Sequence, residues 1–383
     1  MIVTRSWLNE WIDLSGISTQ EIAKKLNAIG LEVDRVHHYT PPKNVVFGRV
    51  LECQKHPDAD KLSVCQVDVG SGVSQIVCGA SNVRAGLDVV VATVGAEMSN
   101  GLVIKPVVLR GIASEGMICS ATEIGLPNVG SGIIELDESI GEYKIGQPVC
   151  EHPLFNDDLI EIELTANRGD CLSIRGIARD LSAAFDRDIK EYIVTDNDDK
   201  RGIGRIVSLS HEKNIDINLR YKAIDLKELL VPILVKLRLA QIGDTCENSV
   251  DAMMLYVTHS TGVVLHAYKH DFFKDEDDKI AKLTLCEDES GFLVVKSKDI
   301  ASTVGVMQNK ESMVVSDAGL ILIEASYIPP DVVSRKMAQH KRESGPMFYK
   351  TSRGSEPALE GGIAYCVDLI EKYSKSSTYS GMI

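Results

Sequence analysis

Apolar residues recur along this chain in three successive textures, helical, strand-like and then mixed. Behind Ser18, with Glu21 three residues on, Ile22, Leu26 and Ile29 fall on one helical face and Gly30 supplies a stop. This spacing predicts a short amphipathic helix, too small to stand without a partner surface. From about Val45 to Ser120 the pattern changes to β-branched runs divided by Gly, Asn and Pro: VVFGRVLEC, KLSVCQVDVG, SQIVCG, DVVVATVGA and LVIKPVVLRG. Five strands at short spacing, with no long helix between them, predict a small closed or nearly closed antiparallel barrel. After Cys150 the helical period returns, with Ile174, Ile177, Ala178, Leu181 and Phe185 on one face behind Ser173.

That second helix is the candidate partner of the first, which would make the barrel an insertion in a discontinuous helical domain. The polar stretch TDNDDKRG, Thr195 to Gly202, reads as a linker. Beyond it, RIVSLS, LRYKAIDL, AKLTLCE, GFLVVKS, STVGVMQ and LILIEAS read as strands, with helical segments near Val231 to Ile242 and Pro330 to His340. The expected fold class is α+β multidomain: an OB-fold barrel, the commonest of that size, inserted in a small helical domain and followed by a mixed α+β domain. The boundaries fall at 1–39 with 150–195 for the helical part, 40–149 for the barrel and 200–375 for the last domain. The tail, 376–383, is expected to fray.

Composition narrows the class. At 383 residues and 44% hydrophobic, the chain exceeds one typical core. No apolar run approaches the roughly 18 residues that cross a bilayer, and Met1 does not open a signal peptide. The nine cysteines are odd in number and scattered, without a CxxC pair, as suits free thiols in a reducing cytoplasm. A net charge of −14 argues against non-specific coating of nucleic acid but leaves room for a local RNA surface.

The densest motif is HPDADKLSVCQVDVG, His56 to Gly70, continued by QIVCGASNVRAG, VVVATVGAEM and LRGIASEGMICSATEIGL. It resembles the tRNA-binding OB domain shared by the phenylalanyl-tRNA synthetase β subunit, some other synthetases and several free-standing tRNA chaperones. Such a barrel offers amides, Asn and Ser side chains and a few cations to folded RNA. Lys61, Asn82, Arg84, Ser114 and Met117 sit where that surface would form. A second motif, IEIELTANRGDCLSIRGIARDLSAAF, Ile160 to Phe185, resembles the β-subunit segment that follows the barrel and that the chaperones lack. Within it Asn167, Arg168 and Asp170 read as a turn and helix-start network.

The last third, from LRYKAIDL through LHAY, STVGVMQ and LIEAS to YKTSRGSEPAL, resembles the editing domain of the bacterial phenylalanyl-tRNA synthetase β subunit. The resemblance implies hydrolysis of tyrosine wrongly attached to tRNA(Phe), in a pocket lined by His266, Gly305 and Glu324. A buried carboxylate at Glu324 would accept a hydrogen bond from the tyrosine hydroxyl, and phenylalanine would leave it unpaired. His266 would orient the ribose or the water, and amides near Gly305 would steady the carbonyl oxygen. Ala252, Met253 and Met254 stand where the family has polar residues, which would put apolar side chains at the pocket floor.

The resemblance further implies an α subunit as partner in an α2β2 heterotetramer, held chiefly through segments that follow residue 383. ATP and Mg2+ are expected for the whole synthetase and no cofactor for this part, which lacks an activation site. That lack, with an uncapped tail, is expected of a chain cut at a domain edge. His266 and His270 have no third ligand in place for zinc, and KYSKS, Lys372 to Ser376, has no nucleotide-binding unit behind it. The rival expectation is a tRNA-binding and scaffold module with no hydrolysis of its own.

Overall fold

The computed structural model describes residues 1–192, 202–203, 206–211, 218–244, 246, 248–274 and 280–383. All of the expected linker but Gly202 lies outside them. The chain opens with β1 (Ile2–Thr4), α1 (Arg5–Leu8), α2 (Thr19–Ala28) and β2 (Glu32–His38). The barrel segment follows as β3 (Val45–Lys55), β4 (Ser63–Asp68), β5 (Val73–Cys78), β6 (Asp88–Ala92), β7 (Val107–Leu109), β8 (Ile112–Ser114), β9 (Met117–Ile118) and β10 (Glu135–Leu136). The chain returns through β11 (Asp158–Glu163) and α3 (Ile174–Phe185).

The last part begins with β12 (Val207–His211), β13 (Asn218–Leu229), α4 (Ile233–Gln241), α5 (Ser249–Thr261) and β14 (Val264–Lys269). It continues as β15 (Ala281–Glu287), β16 (Leu293–Lys296), β17 (Ile300–Thr303), β18 (Met307–Gln308) and β19 (Gly319–Tyr327). It closes with α6 (Pro330–His340), α7 (Pro346–Thr351), α8 (Leu359–Tyr373) and β20 (Ser374–Tyr379).

Helix α2 starts where its capping box demands: the Ser18 hydroxyl accepts from the Glu21 amide at 3.3 Å, and the Glu21 carboxylate accepts from the Ser18 amide at 2.8 Å. The Ser173 hydroxyl caps α3 in the same way, accepting from Gly176 at 3.0 Å. The two helices share a core with Trp7, Leu8, Ile12 and Leu14. The surrounding module is not purely helical, however, because β1, β11 and β2 form an antiparallel sheet. Most of β2 is exposed, so its sequence carries little alternation to read.

Nor does that module close on itself: the same core continues into Tyr256 and Val257 of α5 and Leu359 and Ile363 of α8. His259 of α5 is buried in this seam, its Nε2 2.8 Å from the Ile2 carbonyl and its ring 5.1 Å from Trp7. Desolvation, with Lys350 nearby, lowers its pKa to about 3. The folded state thus keeps the ring neutral, while the unfolded chain takes up a proton below about 6.5. Stability should therefore fall with acid between those values, by up to about 1.4 kcal/mol per pH unit. Urea unfolding at pH 7 and pH 5 measures this. The loss should shrink in His259→Gln, and an unchanged loss would exclude His259 as its source.

The barrel sheet runs β10-β6-β3-β4-β5, with β9 on β6, and the Glu115 amide reaches the Gln75 carbonyl at 2.8 Å to draw its two ends together. Val50, Cys65, Val67, Ile76, Val89, Val91 and Ile118 fill its interior. The fifth expected strand departs from the barrel wall: β7 pairs with β8 alone and leaves Val107, Val108 and Leu109 exposed. Pro106, which has no amide to give a ladder, precedes it. The barrel leaves and rejoins the module between neighbouring strands, since His38 pairs with Asp158 and the Tyr39 amide bonds the Asp157 carbonyl at 2.8 Å. It has a second attachment. Pro232 offers α4 no side-chain cap, and the first amides of that helix, Ile233 and Leu234, donate instead to barrel-segment residues Asp137 (2.9 Å) and Ser139 (3.1 Å).

In the last domain β14-β19-β13-β20 form one antiparallel sheet, and β12-β15-β16-β17-β18 form a second in which β12 and β15 are parallel. Strand alternation splits the first sheet cleanly. Ile224, Leu226, Leu265, Ala267, Ile321 and Ile323 face the helices, and Tyr221, Ala223, Tyr268 and Leu322 face the second sheet. The tail does not fray as expected: residues 374–379 form β20 against β13, and Ile383 and Tyr221 exchange backbone hydrogen bonds at 2.9 and 3.0 Å. Pairing along a sheet edge is made by the backbone, which a polar run such as SKSSTY supplies as well as an apolar one. No helix among the described residues is long and apolar enough to cross a membrane.

Candidate functional site

Two regions hold the residues expected to act. On the barrel, Lys61 is exposed in the turn between β3 and β4. Asn82 is occupied internally, giving its amide to the Ile133 carbonyl and to Glu135 (both 3.0 Å) and accepting from the Ile133 amide at 3.1 Å. Arg84 is exposed but paired with Glu135 at 2.8 Å. Ser114 is buried, accepting from the Val77 amide at 3.0 Å and donating to the Gly116 carbonyl at 3.3 Å. Met117 is half-buried against the barrel's outer core. The structure thus gives Asn82 and Ser114 bracing work, and Lys61 and Arg84 present the cations. His56 is also a brace: Nε2 meets the Leu109 carbonyl at 3.2 Å, tying the β7–β8 hairpin to the HPDADKL turn.

The second region lies between the two sheets of the last domain. In the β14-β19-β13 register His266, Glu324 and Tyr221 are directly opposite one another. Their side chains consequently share one face of the sheet. His266 Nε2 lies 3.1 Å from Glu324 Oε1. The other carboxylate oxygen, Oε2, accepts from the Tyr221 hydroxyl at 2.5 Å and from the Tyr268 hydroxyl at 3.1 Å. The Tyr268 oxygen is in turn 2.6 Å from His266 Nε2 and 2.6 Å from Ser302 Oγ. Glu324 is 0% exposed and its four neighbours are buried. Burial, reinforced by the Glu324 charge, raises both tyrosine hydroxyls well above their ordinary pKa, so they stay protonated donors.

Among the described residues, His266 Nδ1 has no hydrogen-bond partner and Glu324 Oε1 has none beyond the ion-pair approach of His266 Nε2. Gly305 turns between β17 and β18 with φ +68°, and the atoms that a side chain there would meet belong to Thr351 and Ile328. It joins the cluster through β17, which carries Ser302, and not by contact with the His–Glu pair. Met253 is buried among the helices on the opposite face of the sheet, so it does not form the floor of this site. His270 does not join His266 either, since its Nε2 faces the Ile206 carbonyl at 3.0 Å. Tyr221, Tyr268 and Ser302 were not singled out from the sequence. Alternation along LHAYK would have placed Tyr268 beside His266, but Tyr221 and Ser302 arrive through long-range register.

The turn expected at Asn167, Arg168 and Asp170 is a structural network. Arg168 holds Asp170 through two bonds of 3.1 Å and also bonds Asp180, while Arg179 reaches Asp170 at 3.1 Å. Asp170, Cys171 and Asp180 together could face a metal, but the Arg168 guanidinium already neutralises both carboxylates.

Residues 45–144 match the family model for a putative tRNA binding domain. The phenylalanine–tRNA ligase β subunit of Sulfurimonas denitrificans is 60% identical over 385 residues, spanning 100% of this chain and 50% of that protein. The corresponding subunit of Wolinella succinogenes is 46% identical over 389 residues, again 100% and 50% of the two chains. That of Halalkalibacterium halodurans is 35% identical over 409 residues with the same coverage. The likeness runs the full length of this chain, through the barrel, the module around it and the paired-sheet domain. The chain belongs to the phenylalanine–tRNA ligase β-subunit family and corresponds to the N-terminal half of its members. It spans about half the length of the curated relatives that it matches.

Proposed function

We propose that this chain docks tRNA(Phe) through the barrel and hydrolyses tyrosine wrongly esterified to that tRNA, using Glu324 and His266. It does so as part of an αβ synthetase that attaches phenylalanine to tRNA. The observation that carries the reading is the His266–Glu324 pair: adjacent across two strands and buried, with Oε1 met only by His266 Nε2 at 3.1 Å and Nδ1 unbonded among the described residues. A buried carboxylate is costly to leave short of donors, and a ligand hydroxyl would serve Glu324 as a donor where a bare phenyl ring would not. Lys61 and Arg84 supply the phosphate contacts, on a frame braced by Asn82 and Ser114. The α subunit, ATP and Mg2+ enter through the remainder of the assembly, an α2β2 heterotetramer of the cytoplasm.

The test is release of free tyrosine from tyrosyl-tRNA(Phe) by the chain and by its Glu324→Ala variant. Removing the carboxylate should slow release about a hundredfold. Equal rates would sink the assignment. A second reading, tRNA docking with no hydrolysis, is favoured by the complete burial of Glu324 and the two internal phenols on its Oε2. It requires a salt-dependent gel shift that persists in His266→Ala, with no tyrosine released by either protein.

A further inference from the structure

A carboxylate that is to read the hydroxyl of a tyrosine already holds two tyrosine hydroxyls of its own chain. The two are not equivalent. Tyr221 stands directly opposite Glu324 on β13, an inner strand whose backbone at that residue is bonded to Ile383 on one side and paired with β19 on the other. Tyr268 stands on β14, the outermost strand of the sheet, where its outer side carries an isolated bridge to Met313 and not a full strand, and it reaches Glu324 diagonally. Its hydroxyl is the hub of the cluster, within hydrogen-bond distance of His266, Ser302 and Glu324 at once. Its ring packs edge-on against His266 at 4.9 Å and Phe273 at 5.4 Å, so the side chain fills the space beside the His–Glu pair.

We infer that Tyr268 is an internal latch on the hydroxyl-reading site: it occupies Glu324 in the empty state and is displaced when a phenolic ligand brings a hydroxyl of its own. This rests on the reading of Glu324 as the ligand's acceptor. On the carboxylate the exchange conserves hydrogen bonds for tyrosine, since one phenol replaces another. For phenylalanine it loses one. The latch also gives Oε2 of the buried carboxylate a second donor, beside Tyr221, while the site is empty. Its cost falls on affinity, because a ligand binds only the fraction of molecules in which Tyr268 has swung away. The choice between tyrosine and phenylalanine belongs to Glu324. The threshold for entry belongs to Tyr268.

Tyr268→Phe separates these roles, because it keeps the ring and removes all three bonds of the latch. Binding of L-tyrosinamide and L-phenylalaninamide to the full chain, followed by ligand-observed NMR, should tighten about tenfold for both, with their ratio unchanged. In Glu324→Ala the ratio should collapse towards one. Ser302→Ala, which removes one latch bond without touching the carboxylate, should move affinity the same way by a smaller factor, and it serves if Tyr268→Phe folds poorly. Unchanged or weaker amide binding in both variants would overturn the latch, even in a protein that hydrolyses tyrosyl-tRNA(Phe) through Glu324. Tighter amide binding in a protein with no hydrolysis would instead uphold the latch and remove the hydrolytic role.

Discussion

Gly169→Ala is expected to destabilise this protein by more than about 3 kcal/mol, the scale of a severe steric insertion into packed structure. A Cβ at this position would lie 1.8 Å from the Arg353 carbonyl oxygen and 2.4 Å from its carbon, both backbone atoms unable to rotate away. The turn that carries Gly169 has no slack, because Arg168 clamps it to Asp170 and Asp180. The opposing loop is fastened as well: Lys350 Nζ donates to the Leu172 carbonyl, and Arg353 Nη1 donates to the Leu164 carbonyl at 3.3 Å. One methyl group therefore has to part the last domain from the turn before α3. Gly361→Ala is the matched control, since nothing lies within 4 Å of its Cβ and it sits in α8, where alanine is the better helix former by about 1 kcal/mol. Thermal melts of the two variants decide the matter, and a Gly169→Ala protein melting with the wild type would refute the close approach.

The second large effect is an asymmetry at Arg238. This guanidinium is 2% exposed, held by Glu10 at 2.5 and 2.9 Å, donating to the Tyr256 hydroxyl at 2.7 Å and lying 5.0 Å over the Trp7 ring. Trp7 itself stacks on Tyr256 at 5.0 Å. Arginine does not lose its proton in a protein, so Glu10→Ala leaves a charge buried against two aromatic rings with no counter-ion. The expected cost is about 3 kcal/mol, the lower part of the range for breaking a buried pair, because Glu10 is itself partly hydrated. Adding Arg238→Met to Glu10→Ala should return most of that loss by removing the stranded charge. Urea unfolding of the two single variants and the double variant forms the cycle. A double variant as unstable as the sum of the singles would mean that the pair is not coupled.

What the sequence discloses follows from how local each cause is. Helices α2 and α3 are legible because Ser18 with Glu21, and Ser173, fix their starts from within four residues. The barrel interior is legible because Cys65 and Val67, or Ile76 and Cys78, alternate with half-buried neighbours. Strand β2 is opaque because EVDRVHH is mostly exposed, and β20 because its pairing uses backbone alone. Helix α5 hides for the opposite reason: Val250, Met253, Tyr256 and Val257 are buried, but so are Thr258, His259 and Thr261, leaving no polar face to give a period. In the candidate site, resemblance supplied His266 and Glu324, and alternation alone would add Tyr268. Tyr221 depends on which residue of β13 stands opposite Glu324, a register that no short stretch of sequence encodes.

The borrowed cap of α4 ties the chain's modularity to mechanics. In the linear sequence the barrel can be cut out cleanly, its ends meeting at His38 and Asp158 like the legs of a hairpin. In the folded molecule that excision would strip Asp137 and Ser139 from the amides of Ile233 and Leu234, five and four residues before Arg238. With one anchor at the strand pair and another at the helix start, the barrel is a braced cantilever and not a pendant. A polyanion pulling on the barrel would load α4 directly, and through Arg238 and Trp7 it would load the seam that joins the two ends of the chain.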